Sequence, residues 1–177
     1  VINLLHIMLE HQLIVMRHAK SDWSEGNLPD FDRPLTARGI KAAKLMGKWL
    51  SKQQYNMDRI VCSPALRAKQ TCQWVLQELN VSRKNILWEP AIYEASLRDL
   101  LSVVDQYSQG VHKLFLIGHN PGLDQLIGHL SKDPLPLSHA GKLMTTGAVA
   151  VLNYGTGPIS TQSHHASLKH LIRPKEL

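Results

Sequence analysis

Short apolar runs alternate along this chain with longer stretches of helical period, and the alternation predicts a layered α/β fold. Leu13 to Met16 is a compact apolar run with the composition of a buried strand. Ser21 to Pro34 is polar, holds Gly26, Pro29 and Pro34, and reads as a long loop. Thr36 then suits a helix N-cap, and Ile40, Ala43, Leu45 with Met46, and Trp49 with Leu50 recur at helical spacing as a core stripe. Asp32 and Arg33 are expected to anchor the loop to this helix. Ile60-Val61 predicts a second strand. The helix after it runs to Glu78, with Ser63 as N-cap, Pro64 in the first turn and Arg67 about one turn in. Asn85 to Trp88 predicts a short strand, and Ser96 to Tyr107 an amphipathic helix carrying Leu97, Leu100, Leu101 and Val104. Lys113 to Ile117 reads as a strand, Leu123 to Leu130 as a helix, and Ala148 to Leu152 and Leu168 to Ile172 as the last strands. Such an order specifies a three-layer α/β/α domain, with a mostly parallel sheet and helices on both faces.

Bulk properties narrow the picture slightly. The 177 residues suit one domain over 1–177, and 44% hydrophobic with 19% charged residues is ordinary globular material. A net charge of +6 raises a nucleic-acid reading. The Lys and Arg residues are scattered, with no run and no aromatic interleaving, so the charge is read as favouring an anionic ligand and not nucleic acid. Cys62 and Cys72 do not have zinc spacing and are expected to be free thiols in a reducing compartment. Val1 to Leu9 is apolar but too short to span a membrane, and it has no basic flank or small-residue cleavage site. Met8 is read as a start, with residues 1–7 an upstream extension, and the expectation is a cytoplasmic protein with no membrane contact.

Three predicted strand ends carry the chemistry. Arg17 and His18 follow the first strand at once, in Q-L-I-V-M-R-H-A-K-S. Ligands of open α/β sheets sit outside the carboxyl ends of the strands. There an arginine fork can pair with phosphate oxygens while an imidazole nitrogen attacks phosphorus. Arg67 lies in S-P-A-L-R-A-K-Q-T, near the positive end of its helix. His119 ends the run L-F-L-I-G-H-N-P-G, where Asn120 can cap, Pro121 can open the next helix, and free N–H groups can bind an anion.

In conjunction these motifs resemble the histidine phosphatase superfamily, whose members carry R-H-G, S-x-x-x-R-A-x-Q-T and a later G-H or S-H. The chain looks most similar to the small phosphohistidine phosphatase branch of the SixA type. R-P-L-T-A-R-G (Arg33 to Gly39) and T-T-G-A-V-A (Thr145 to Ala150) fit that branch in order, and the resemblance runs from about Leu13 to Leu152. Ala19 stands where many relatives have glycine, a small change. The resemblance implies the histidine phosphatase fold, a phosphohistidine enzyme intermediate on His18, and phosphate contacts from Arg17, Arg67 and His119.

The same roles follow from the groups themselves. Neutral His18 displaces the leaving group and becomes phosphohistidine, then water displaces the histidine. Arg17, Arg67 and a charged His119 hold the oxygens. Asn120 and Lys20 are expected to assist in substrate binding. No metal or other cofactor is needed, because cationic side chains neutralise the phosphoryl group. Glu94, in the region where phosphoglycerate mutase relatives keep their acid, is a candidate general acid, with an exposed helix-entry glutamate as the alternative. The lead reading is a phosphatase that removes phosphate from phosphohistidine in a signalling protein, such as a histidine-containing phosphotransfer domain. The alternatives are a broad phosphomonoesterase acting on small phosphate esters and a non-catalytic phospho-ligand or nucleic-acid binding module. A cysteine phosphatase fits less well, because C-x4-R with a proline inside shortens the loop that must wrap phosphate, so Cys62 is read as a buried structural thiol. His164, His165 and His170 are read as solvated surface histidines and not as a metal site.

Overall fold

The computed structural model describes residues 10–24 and 26–177, so the readings of Met8 and of residues 1–7 lie outside the described part. Six strands form one sheet in the order β3-β2-β4-β1-β5-β6. They are β1 (Gln12–Arg17), β2 (Arg59–Cys62), β3 (Ile86–Trp88), β4 (Lys113–Gly118), β5 (Val149–Asn153) and β6 (Ser167–Ile172). The β1–β4, β2–β4 and β2–β3 pairs are parallel, and β5 runs antiparallel to both of its neighbours, β1 and β6. Among the described residues four α-helices complete the architecture: α1 (Ala37–Lys52), α2 (Leu66–Leu79), α3 (Leu97–Tyr107) and α4 (Gly122–Leu130). The expected α/β layering is present, with two helices on each face.

The central strands are apolar on both sides because both sides are covered. Leu13, Val15, Leu114 and Leu116 pack with Leu100 and Val104 of α3 and Leu123 and Ile127 of α4. The alternate residues Ile14, Met16, Phe115 and Ile117 pack with Ala43, Met46 and Leu50 of α1 and Cys72, Val75 and Leu76 of α2. The central strands β1, β2, β4 and β5 thus feed both cores at their period of two.

Helix starts follow local chemistry in two cases and depart from the sequence reading in two others. Thr36 caps α1 by accepting from the Gly39 N–H, and Ser96 caps α3 in a reciprocal capping box with Asp99. Ser63 was expected to cap α2, but that helix begins at Leu66 with Ala65 at the cap position. The reason is that Ser63 still belongs to the ladder, its N–H donating to Ile117 O at 3.0 Å. Arg67 therefore sits in the first turn of α2. Asn120 does not cap α4 either, since its side-chain N–H donates to Met144 O at 3.1 Å and Pro121 takes the cap position.

Other corrections concern packing. The buried arc of α1 is Gly39, Ala43, Met46, Gly47 and Leu50. Ile40 and Trp49 pack beside that core, whereas Leu45 faces a surface groove instead. Arg33 anchors the loop through Asp30 (3.0 Å) and Ser21 (2.9 Å), so the loop is tied to itself and not to α1, and Asp32 is exposed. His170 is half-buried with its ring 5.4 Å edge-on from Trp49, while His164 and His165 are exposed.

Candidate active site

Parallel pairing gathers the site. The strands β2, β4 and β1 are neighbours in register, with Arg17 opposite Gly118 and Cys62 opposite Ile117. The residues that follow them, His18, Ser63 and His119, therefore leave the sheet at one edge. The His18 N–H continues the ladder to Gly118 O at 3.0 Å. Because β5 runs the other way, the segment before it reaches the same edge, where Met144 O accepts from Arg17 Nη1 at 2.8 Å. The Gly147 N–H donates to His18 O at 3.0 Å. Together these elements enclose a pocket of about 360 Å³. All seven side chains named from the sequence line it: Arg17, His18, Lys20, Arg67, Glu94, His119 and Asn120.

His18 is held in one tautomer. Its Nδ1 donates to Ala19 O at 2.7 Å, which leaves Nε2 with a free lone pair facing Arg67 Nε–H at 3.3 Å. Burial first, and then the neighbouring His119, Arg67 and Arg17 charges, push its pKa down to about 3, so the ring is neutral at neutral pH. Thr71 supports the backbone here, accepting from the Ala19 N–H at 3.0 Å and donating to Arg67 O at 2.6 Å.

His119 lies with its ring centroid 5.1 Å from that of His18. Its Nε2 is 2.7 Å from Ser63 Oγ, and Ser63 Oγ also accepts from the Ala65 N–H at 3.3 Å. That leaves Ser63 Oγ one O–H and one lone pair, so it pairs with His119 Nε2 in either ring tautomer. The Nδ1 of His119 is buried without a hydrogen-bond partner among the described residues, as is Arg17 Nε. Both residues line the pocket. The sequence reading made His119 charged, but burial, followed by repulsion from Arg67, pushes its pKa down to about 4. At neutral pH it is a neutral N–H donor.

Asp30, not singled out from the sequence, organises the cations. Its carboxylate accepts from Arg67 Nη2 at 2.9 Å, from Tyr93 Oη at 2.9 Å and from Arg33 Nε at 3.0 Å, and its carbonyl accepts from Arg67 Nη1. Burial acts to raise the Asp30 pKa, but the hydrogen bonds from Arg33, Tyr93 and Arg67 prevail and hold it well below the usual carboxylate range. Asp30 is thus ionised and no proton donor. Tyr93 was also missed; its ring stands edge-on to His119 at 5.6 Å. Exposed Trp23 stacks on Arg33 at the rim, 3.4 Å from guanidinium carbon to ring centroid.

Glu94 is exposed, borders the pocket and takes a left-handed backbone angle, φ 52°. Cys62 is fully buried, its thiol donating to Ser63 O at 3.3 Å, and burial pushes its pKa up. A nucleophilic cysteine needs the opposite environment. Among the described residues, no group of three His, Cys, Asp or Glu side chains is placed to hold a metal ion, and no helix is long and apolar enough to cross a membrane.

Comparison with known proteins places this geometry. Residues 13–101 match the model of the histidine phosphatase superfamily (branch 1). Phosphohistidine phosphatase SixA of Escherichia coli is 30% identical over 164 residues, covering 89% of this chain and 96% of that protein. An uncharacterized protein of Mycobacterium tuberculosis is 34% identical over 106 residues, which span 60% of this chain and 63%, under two thirds, of that relative's length. The structure of the protein histidine phosphatase SixA complexed with tungstate superposes with a TM-score of 0.77 at 24% identity, covering 93% of this chain and 97% of that one. The six-stranded mixed sheet, its four helices and these matches lead to one conclusion: the chain belongs to the histidine phosphatase superfamily.

Proposed function

We propose that the protein hydrolyses phosphohistidine in a phosphorylated protein, with His18 as the nucleophile. The observation that carries this reading is the neutral His18 ring, its Nε2 lone pair turned toward the Arg67 guanidinium in a pocket that Arg17 and His119 also line. Arriving phosphate draws Arg67 Nε–H off that lone pair and onto an oxygen. The lone pair of Nε2 then attacks phosphorus, and the P–N bond to the substrate imidazole breaks. Water next attacks phosphorus, the bond to His18 breaks, and inorganic phosphate leaves with the protons passing to solvent. Arg17, Arg67 and His119 stabilise the charge on the phosphoryl oxygens in both steps. Asn120 and Lys20 complete the wall, and the SixA relative supports the substrate class.

Leaving-group chemistry favours phosphohistidine over esters. An imidazole with an ordinary pKa of about 6.5 departs readily once protonated, whereas an alkoxide needs an acid. Ionised Asp30 cannot supply that proton, and among the described residues Glu94 is the one carboxylic side chain left on the wall. The test compares wild type and Glu94→Gln on a phosphohistidine protein, an aryl phosphate and an alkyl phosphate. The expected result is fast turnover of phosphohistidine, slow turnover of alkyl phosphate, and little effect of the substitution. Fast alkyl phosphate hydrolysis that collapses in Glu94→Gln would establish a general phosphomonoesterase instead.

A further inference from the structure

Beside the catalytic pocket lies a second depression of about 1200 Å³, against about 360 Å³ for the pocket itself. The two adjoin, sharing Arg17, Lys20 and Thr146 in their walls. One wall is the start of α1, where Arg38, Lys41 and Leu45 share a helical stripe. The opposite wall comes from the segment around Leu137 and Lys142 and from the C-terminal Lys175.

Charge in this groove is one-sided. Arg38, Lys41, Lys142 and Lys175 are exposed and make no ion pair among the described residues. Among the described residues the single acid of the lining, Glu176, is bound by Arg173 at 2.7 Å. Arg173 itself is buried and spends its remaining donors on the carbonyls of Leu143, Pro136 and Lys142, so it builds the floor. Leu45 is half-buried in the wall, and Leu137 is 59% exposed, an apolar spot among the cations.

We propose that this groove docks an acidic segment of the substrate protein, next to the residue whose phosphoryl group enters the pocket. The proposal rests on the phosphatase reading of that pocket and adds what recognises the rest of the substrate. A small phosphate ester filling the pocket would leave the groove untouched. Side-chain carboxylates would meet the unpaired lysines and arginine, and one apolar side chain would cover Leu45 and Leu137. A nucleic-acid strand fits less well, because the lining holds no Phe, Tyr or Trp on which bases could stack.

The test uses synthetic peptides carrying one phosphohistidine, flanked either by Asp, Glu and a single Leu or by Lys, with p-nitrophenyl phosphate as the small substrate. Each peptide is also made with phosphotyrosine, so that a failure of the phosphohistidine reading leaves the flank effect measurable. The acidic flank should raise kcat/KM about tenfold or more over the lysine flank at low salt, and added NaCl should erode the advantage. The triple variant Lys41→Gln, Lys142→Gln, Lys175→Gln should lose most of that advantage and keep its rate on p-nitrophenyl phosphate, which also reports folding. If the triple variant loses that small-substrate rate, single Lys41→Gln and Lys175→Gln variants with reduced salt dependence carry the same expectation. Equal rates for both flanks, or an advantage that survives the substitutions, overturns the proposal. So does a single-stranded oligonucleotide that binds these lysines more tightly than the acidic peptide.

Discussion

In the pocket, Arg67 directs three of its N–H groups to Asp30 and His18, and Arg33 holds the other side of the same carboxylate. In the groove a few residues away, four cationic side chains reach into solvent with no acidic partner among the described residues. The two regions carry charge of one sign and hold it in opposite ways. Cations fixed before the ligand arrives need no reorganisation during the reaction, which is what transition-state stabilisation requires. Cations on flexible stems are screened by salt and suit encounter and selection among partners. Chemistry and recognition are thus separated by how firmly each charge is tied down.

The most severe break of this contrast is His18→Ala. It should lower turnover of every phosphorylated substrate by roughly 10⁴-fold or more at any salt concentration, because no other group supplies the covalent step. Cys62→Ser, measured alongside, should leave turnover nearly intact, and the reverse pattern would assign the nucleophile to the thiol. A smaller effect is expected from Asp30→Asn, which keeps the shape of the network and removes its charge. Looser Arg67 and Arg33 should lower kcat about tenfold, while vanadate binds as tightly as before or more tightly, since a repelling carboxylate has gone. An unchanged kcat would mean that Asp30 plays no part in positioning.

The least effect is one of stability, and only the pocket should show it. His18 and His119 have folded pKa values of about 3 and about 4, against an ordinary 6.5. Below pH 6.5 the unfolded chain takes up protons that the folded chain refuses, so this contribution is whole above pH 6.5 and is lost as pH falls toward 4 and then 3. The melting temperature should decline across that window, less steeply in His119→Gln and with an unchanged slope in Lys175→Gln.

Much of this was legible because local pattern and tertiary role coincide. The run Leu13 to Met16 is apolar on both faces, so the strand and the charged pair after it stand out, and Ser96 with Asp99 announces α3. The seven side chains named from strand ends and helix starts line one pocket. What escaped acts at a distance along the chain. Asp30 meets Arg67 across 37 residues and Tyr93 across 63, and an aspartate after a proline in a polar loop has no local signal to mark it. Ser63 looked like a cap, because the choice between capping and bonding His119 is made by where the ladder ends. Leu45 was misplaced because the apolar positions of α1 form a stripe wider than the arc that the core covers. A pattern of hydrophobic residues cannot tell a core from a groove.

Gly39 links the two regions. It sits one residue after Arg38, and a Cβ there would lie 2.2 Å from Lys20 O, the carbonyl that also accepts from the Thr36 N–H at 2.9 Å. Helix α1 therefore leans on the loop that carries His18 with no clearance between them. For anyone redesigning the protein this divides the helix surface into two kinds of position. Arg38, Lys41 and Leu45 can be repainted to attract a different partner, while a methyl group at position 39 would act as a wedge under the loop that carries His18. Retargeting and catalytic alignment share a single beam, and only its outward side is free to change.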